Sequence, residues 1–358
     1  MSTITKRIDI NVGTPCNANC MFCYYGESVN EKKPGFSSEE VKRLLRFARK
    51  RGMQVAEFTG GEPTIRKDLT DMVRYAKELG FESVSIITNG MAMSGGGLAR
   101  KLVEAGADDF LFSIHGPNSD IHDALVRTRG AFNKVVESVK IVRDLGARVR
   151  SNTVVVLQNY ETLLSVADLQ EHLQVRAANF LVFNRTAEAE TCKEQIDVRY
   201  TQVAPKLREL IDYCGTKIPK ITIREIPFCM MAGYERYVTN LLQLQYDSDE
   251  WNYLVRYGST YGTKFTIKAM TNGIFHLPGP RRFPRVSWHT TKHEGIMKYR
   301  ADTSKIKGPQ CCHCRYDLIC DGIWNGYAQF YGFDELRAVP GEKIADPAYF
   351  MKVSRLIA

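Results

Sequence analysis

The chain has 358 residues, 44% of them hydrophobic, enough to bury a large core as one domain or as one domain with an appendage. Its 49 basic and 40 acidic residues leave a net charge of +9, which favours anionic partners, but the basic residues form no uninterrupted tract and nucleic acid is not the expected partner. No apolar run approaches membrane-spanning length and the N-terminal "MSTITKRIDINVG" has no signal-peptide core, so the chain reads as cytoplasmic, without a membrane partner, where thiols stay reduced.

In chain order, "RIDINV" reads as a strand, followed by a cysteine-bearing loop and the helical "SSEEVKRLLRFARKRG". Ser37 with Glu40 three residues on forms a capping box, and Gly52 follows the basic end of the helix. The pattern then runs "VAEFTG" (strand), "KDLTDMVRYAKELG" (helix), "SVSIITNG" (strand), "LARKLVEAG" (helix), "DDFLFSIHG" (strand) and "AFNKVVESVKIVRDLG" (helix). It closes with "RVRSNTVVV", "YETLLSVADLQEHLQV" and "NFLVFN" as strand, helix and strand. This alternation predicts an α/β fold with a parallel sheet and helices outside, open or curled into a barrel, with functional groups at the carboxyl ends of the strands. After about Arg185 the rhythm fails, although a helix through "QVAPKLRELIDYC" and a strand "KITIREI" follow. The expected division is a core over 1–190, a connection over 191–228 and a cysteine-rich appendage over 229–358. The basic, aromatic stretch Arg281 to Lys307 reads first as a solvated, loop-rich surface.

Cys16, Cys20 and Cys23 stand at C-x3-C-x2-C on the first loop, with no fourth Cys or His near in sequence. Thiolates suit zinc or iron–sulfur clusters, but structural zinc prefers four closed ligands, usually as two separated pairs. Three thiols on one loop fit a [4Fe–4S] cluster with one iron left open, which is a site for chemistry.

These residues resemble the radical S-adenosylmethionine (radical SAM) enzymes. "CNANCMFC" matches the family signature, including Phe22 before the last cysteine, and "FTGGEPTIRKDL", Phe58 to Leu69, matches the second signature. The likeness continues through "IITNG" and "FSIHGPNSDIHDALVRTRGAF", covering roughly the first 190 residues. It implies a partial (β/α)6 TIM-type barrel and a catalytic cluster on Cys16, Cys20 and Cys23. The cluster would reductively cleave SAM to a 5'-deoxyadenosyl radical that abstracts a substrate hydrogen. By the matched motif, Gly60, Gly61 and Glu62 would hold the SAM amino group, Pro63 would stiffen the turn and Phe22 would sit by the adenine. Thr88 and Asn89 end the third strand at the same mouth, and Ser113 and Asn152 match positions that touch SAM. Each also reads as an ordinary strand-end polar residue. His115 reads equally as a substrate-facing or a turn-stabilising histidine.

Near the C-terminus, Cys311, Cys314 and Cys320 stand at C-x2-C-x5-C, with Cys229 far upstream as a fourth ligand. Alone, these four read as a zinc ribbon. Appended to such a core they resemble the SPASM/twitch class, which implies a second, auxiliary [4Fe–4S] cluster. Cys312 or Cys214 are alternatives to Cys229. Cys192 and Cys214 read as small buried hydrophobes, and any of the remaining thiols is a minor candidate for hydrogen donor. "DGIWNGYAQFYG" reads as an aromatic plug, with Tyr327 or Tyr331 facing substrate as the sharper reading.

The family that cyclises GTP in molybdenum-cofactor biosynthesis is similar through "TGGEPT" and "ITNG". The short second cysteine gap and the ending "RLIA" depart from it, so only the superfamily is carried forward. No cobalamin-binding or leader-gripping module is read ahead of the first motif. The expected substrate is therefore a small, anionic nucleoside or sugar, phosphorylated forms included, with flavodoxin or ferredoxin as electron donor. Radical modification of a ribosomally made peptide is the alternative. A two-cluster electron carrier or a zinc-dependent binding protein is the reading from another class, but a carrier needs no Gly-Gly-Glu loop beside an under-ligated cluster.

Overall fold

Strands of branched and aromatic residues that alternate with amphipathic helices leave a parallel sheet as the packing solution, because each crossover helix must cover one sheet face. The computed structural model describes residues 4–25, 36–183, 196–252, 255–256 and 304–352. Cys192 and the basic stretch up to residue 303 lie outside them.

The sheet has seven strands: β1 Arg7–Asn11, β2 Val55–Thr59, β3 Ser83–Thr88, β4 Asp109–Ser113, β5 Arg148–Val155, β6 Ala177–Val182 and β7 Ile221–Arg224. Every neighbour pairs parallel and in chain order, so the sheet curls as a half-barrel. It is one strand longer than the six β/α steps read from the sequence, because "KITIREI" supplies β7 beside β6. The covering helices are α1 Ser38–Lys50, α2 Leu69–Glu78, α3 Gly97–Glu104, α4 Ser119–Val126, α5 Ala131–Asp144, α6 Leu163–His172 and α7 Tyr200–Cys214. The capping box at Ser37 forms as predicted, with Glu40 accepting from the Ser37 amide at 2.7 Å. Helix α4 was not separable from the motif around it in sequence; Asn118 caps it by accepting from the Ile121 amide.

Alternate strand residues divide the sheet. Phe58, Ile86, Phe110, Phe112 and Phe180 are wholly buried in the apolar core, which is continuous through the sheet and its helices. The opposite face carries charge. Arg7 on β1 binds Glu57 on β2 at 2.8 Å and Asp109 on β4 at 3.1 Å, and Arg150 on β5 binds Glu57 and Asp109 from the other side. Contacts spanning β1, β2, β4 and β5 require these side chains to meet inside the curve. They form a floor of paired ions.

Residues 238–252 close the gap between the outer strands, with Val238 bridging Ile223 of β7 and Trp251 bridging Arg7 of β1. This strap contains the short helix α8 Leu241–Leu244. The C-terminal cysteine segment then packs against it: β8 Lys305–Ile306 pairs antiparallel with β9 Ile323–Trp324, leading into α9 Asn325–Tyr331. Asp321 accepts from the Leu241 amide at 2.7 Å, which ties this segment to the strap. Among the described residues no helix is long and apolar enough to cross a membrane.

Candidate active site

The cysteine loop leaves the carboxyl end of β1 and is gripped from both sides. On one side the Gly61 amide donates to the Gly13 carbonyl at 2.7 Å and the Glu62 amide to the Pro15 carbonyl at 2.8 Å. Gly60 sits at φ +137°, and a Cβ there would lie 2.3 Å from the Gly13 carbonyl oxygen. At Gly61 a Cβ would lie 2.2 Å from the carbonyl oxygens of Thr14 and Pro15. Both glycines are thus required by the approach of the chain's own cysteine loop. On the other side, the last carbonyls of α4 hold the loop: Val126 accepts from Asn19 at 3.1 Å and Leu125 from Met21 at 3.0 Å. That support was invisible in the sequence because α4 was.

Glu62 is buried, and its carboxylate gathers the surroundings. It accepts from the amide and hydroxyl of Thr64, from the Thr88 hydroxyl at 2.7 Å and from the Asn89 amide at 2.7 Å. Burial raises its pKa, and these hydrogen bonds oppose the rise. Thr88 therefore orients Glu62, and Asn89 reaches the other way, donating to the Asn17 side chain inside the cysteine motif at 2.7 Å. Pro63, buried, opens the 3-10 turn that follows.

Cys16, Cys20 and Cys23 are all partly exposed and near one another. Burial pushes the Cys16 thiol up to about 11 and Cys20 up to about 12, and each is raised further by the neighbouring cysteines. Three soft thiolate donors on one loop fit an iron–sulfur cluster.

Phe22 packs on the cluster of Leu125, Val156 and Ile196 and meets the His115 ring edge-on at 4.7 Å. His115 is buried, and its Nδ1 accepts from the Val154 amide at 3.1 Å. Its own amide donates to Nδ1 of His122 at 3.1 Å. Burial lowers both imidazole pKa values, so both rings are neutral. His115 thus serves the turn after β4. Ser113 and Asn152 are register partners on β4 and β5, both half-buried, at the same end of the sheet as the cysteine loop.

The C-terminal thiols gather at a second place. Cys229, Cys311, Cys314 and Cys320 line one hollow with Lys307, Tyr316 and Arg337. Burial pushes the Cys229 thiol up to about 12, with the other three thiols raising it further. Backbone amides of Gly322 and Val339 donate to Cys320 and Cys314 at 3.5 and 3.4 Å. Among the described residues no three Cys, His, Asp or Glu are grouped for a single metal ion. Cys312 is exposed and donates to the Pro309 carbonyl, and Cys214 is buried at the end of α7. Tyr327 stacks on Tyr200, meets Tyr331 at a tilt and donates to Glu335.

The sequence model of the radical SAM superfamily matches residues 10–169. A "Probable GTP 3',8-cyclase" of Saccharolobus solfataricus is 32% identical over 222 residues, covering 62% of this chain and 67% of that protein. The chain belongs to the radical SAM superfamily. It is an enzyme of that superfamily, whose members hold a [4Fe–4S] cluster and SAM. Cyclases of Saccharolobus islandicus match over 63% of their own length. An "AdoMet-dependent heme synthase" of Oleidesulfovibrio alaskensis is 26% identical, covering 90% of this chain and 83% of its own. The radical SAM half-barrel also appears in solved structures. Streptococcus suis SuiB bound to precursor peptide SuiA has a TM-score of 0.52 at 18% identity, over 61% of this chain and 48% of that one. Methylornithine synthase (PylB) has a TM-score of 0.51 at 15% identity, over 67% and 72%.

Proposed function

We propose that Cys16, Cys20 and Cys23 hold the catalytic cluster and that the enzyme abstracts a hydrogen atom from a small, anionic nucleoside or sugar. The observation that carries this is the cysteine loop clamped between the Gly60–Glu62 turn and the end of α4, with three thiols converging and no fourth ligand beside them in sequence. Held by Cys16, Cys20 and Cys23, a [4Fe–4S] cluster with SAM would supply one-electron reductive cleavage of SAM. The protein's own part is to place that chemistry. Glu62, fixed by Thr64, Thr88 and Asn89, holds the loop beside the SAM amino group. Phe22, set by His115, offers a flat surface to the adenine, and Ser113 and Asn152 offer polar groups to the ribose and carboxylate. Cys229, Cys311, Cys314 and Cys320 hold the auxiliary cluster, and a flavodoxin or ferredoxin supplies electrons. A relative named as a GTP cyclase supports a nucleotide substrate, and one named as a heme synthase supports a small molecule more generally.

The test is 5'-deoxyadenosine formation with SAM and dithionite after anaerobic reconstitution. Wild type is expected to form it and Cys20→Ala is not. Absence of the product in wild type with its cluster intact would return the electron-carrier reading. Acceleration by a peptide and by no nucleotide or sugar would favour peptide modification.

A further inference from the structure

Inside the curve of the sheet, above the floor of paired ions, lies a group of charges that cluster and SAM binding do not use. Arg224 ends β7 in register with Leu181 of β6, which pairs with Val154 of β5, a residue that packs on the same buried cluster of Leu125, Val156 and Ile196 as Met21 and Phe22 of the cysteine loop. The Arg224 guanidinium lies 5.5 Å from the centre of the Trp251 indole, and Arg256 lies 4.9 Å from the same ring. Each cation also touches a carboxylate, Arg224 on Glu250 at 2.8 Å and Arg256 on Asp9 at 3.4 Å. Asp9 is two residues along β1 from Asn11, whose side chain donates to the Tyr25 hydroxyl just past Cys23. The group therefore lies next to the cysteine loop within the barrel.

Two buried atoms lack a hydrogen-bond partner, one in this group and one in the floor below it. Asp9 is 6% exposed and its Oδ1 accepts no hydrogen bond; Arg150 is fully buried and its Nη1 donates none. A buried acceptor and a buried donor left open are expensive, and mark where the polar atoms of a bound molecule belong. Guanidinium forks match carboxylate and phosphate geometry, and an indole holds them flat and in place. Burial also raises Asp9 to about 6 and Glu250 to about 7, so near neutrality Asp9 is still mostly ionised and competes for Arg256, whereas Glu250 is partly protonated and competes less for Arg224.

We propose that Arg224 and Arg256, held against Trp251, bind the anionic group of the substrate, a carboxylate or a phosphate, and so fix which carbon faces the radical. This rests on the radical reading of the cysteine loop. The test is calorimetric binding of pyrophosphate, inorganic phosphate and succinate to the reconstituted enzyme. At least one should bind saturably, and phosphate against succinate identifies the class. Arg256→Gln should weaken that binding ~10-fold, with Arg256→Lys retaining part of it. Asp9→Asn should tighten it about 3-fold by releasing Arg256, a gain that mere structural damage does not give. Saturable binding by none of the anions, or equal binding by wild type, Arg256→Gln and Asp9→Asn, would overturn the proposal. Wild-type 5'-deoxyadenosine formation is read separately, so loss of the anion site and loss of the radical reading are distinguishable.

Discussion

At Gly61 the requirement for glycine is set by the Thr14 and Pro15 carbonyl oxygens, each 2.2 Å from where a Cβ would stand. Both are backbone atoms and cannot rotate aside, so Gly61→Ala has to push the cysteine loop away from the sheet. We expect a loss of about 3 kcal/mol in unfolding free energy and a cluster that fails to assemble, read as iron per chain after reconstitution. Normal iron content in Gly61→Ala would mean that the loop tolerates the shift. The sequence pattern pointed to Gly60 and Gly61 as a cradle for a ligand. The structure adds that they are first a seat for residues 13–15, a contact between segments nearly fifty positions apart that no local pattern reveals. Glu62 is similar: its motif was legible, whereas its ring of donors from Thr64, Thr88 and Asn89 depended on β2 and β3 lying side by side.

At the scale of elements, the β/α rhythm was legible because helix and strand periods differ and most helices end at glycine. Two elements were harder to read. Helix α4 has only eight residues, Ser119–Val126, and follows its strand within the motif, so periodicity had little to work on. Strand β7 is four residues long and comes after the rhythm breaks, yet its register with β6 is regular. The cysteine segment after β8 shows the same mix. Spacing picked out Cys311, Cys314 and Cys320, but only the fold separates Cys229, on the hollow, from Cys312, exposed beside it. Cys229→Ser should therefore reduce the iron content from two clusters to one, while Cys312→Ser leaves it unchanged. The reverse result would move the ligand set to Cys312.

For the whole molecule, the barrel interior is held by opposite charges. Arg150 is fully buried and touches Glu57, Asp109 and Ser85 on three different strands. In sequence these are isolated polar residues in four strands, and nothing local says that they meet. Arg150→Met would leave Glu57 and Asp109 sharing Arg7 alone of this pair of arginines and should cost about 3 kcal/mol, measured as the denaturation midpoint of the anaerobic protein. A loss under about 1 kcal/mol would mean that the carboxylates take up protons or water at little cost.

The strap over residues 238–252 also bears on the order in which the chain assembles. The Thr5 hydroxyl donates to the Glu250 carbonyl and the Thr5 amide to the Gln245 carbonyl, so the first strand is stitched to a segment some 245 positions later. Contacts of such separation form late, since the loop between them must close first. During synthesis β1 can pair with β2 on one edge while its other edge waits for the strap to leave the ribosome. The cysteine loop is thus formed on a barrel whose wall stays unfinished until the strap is in place.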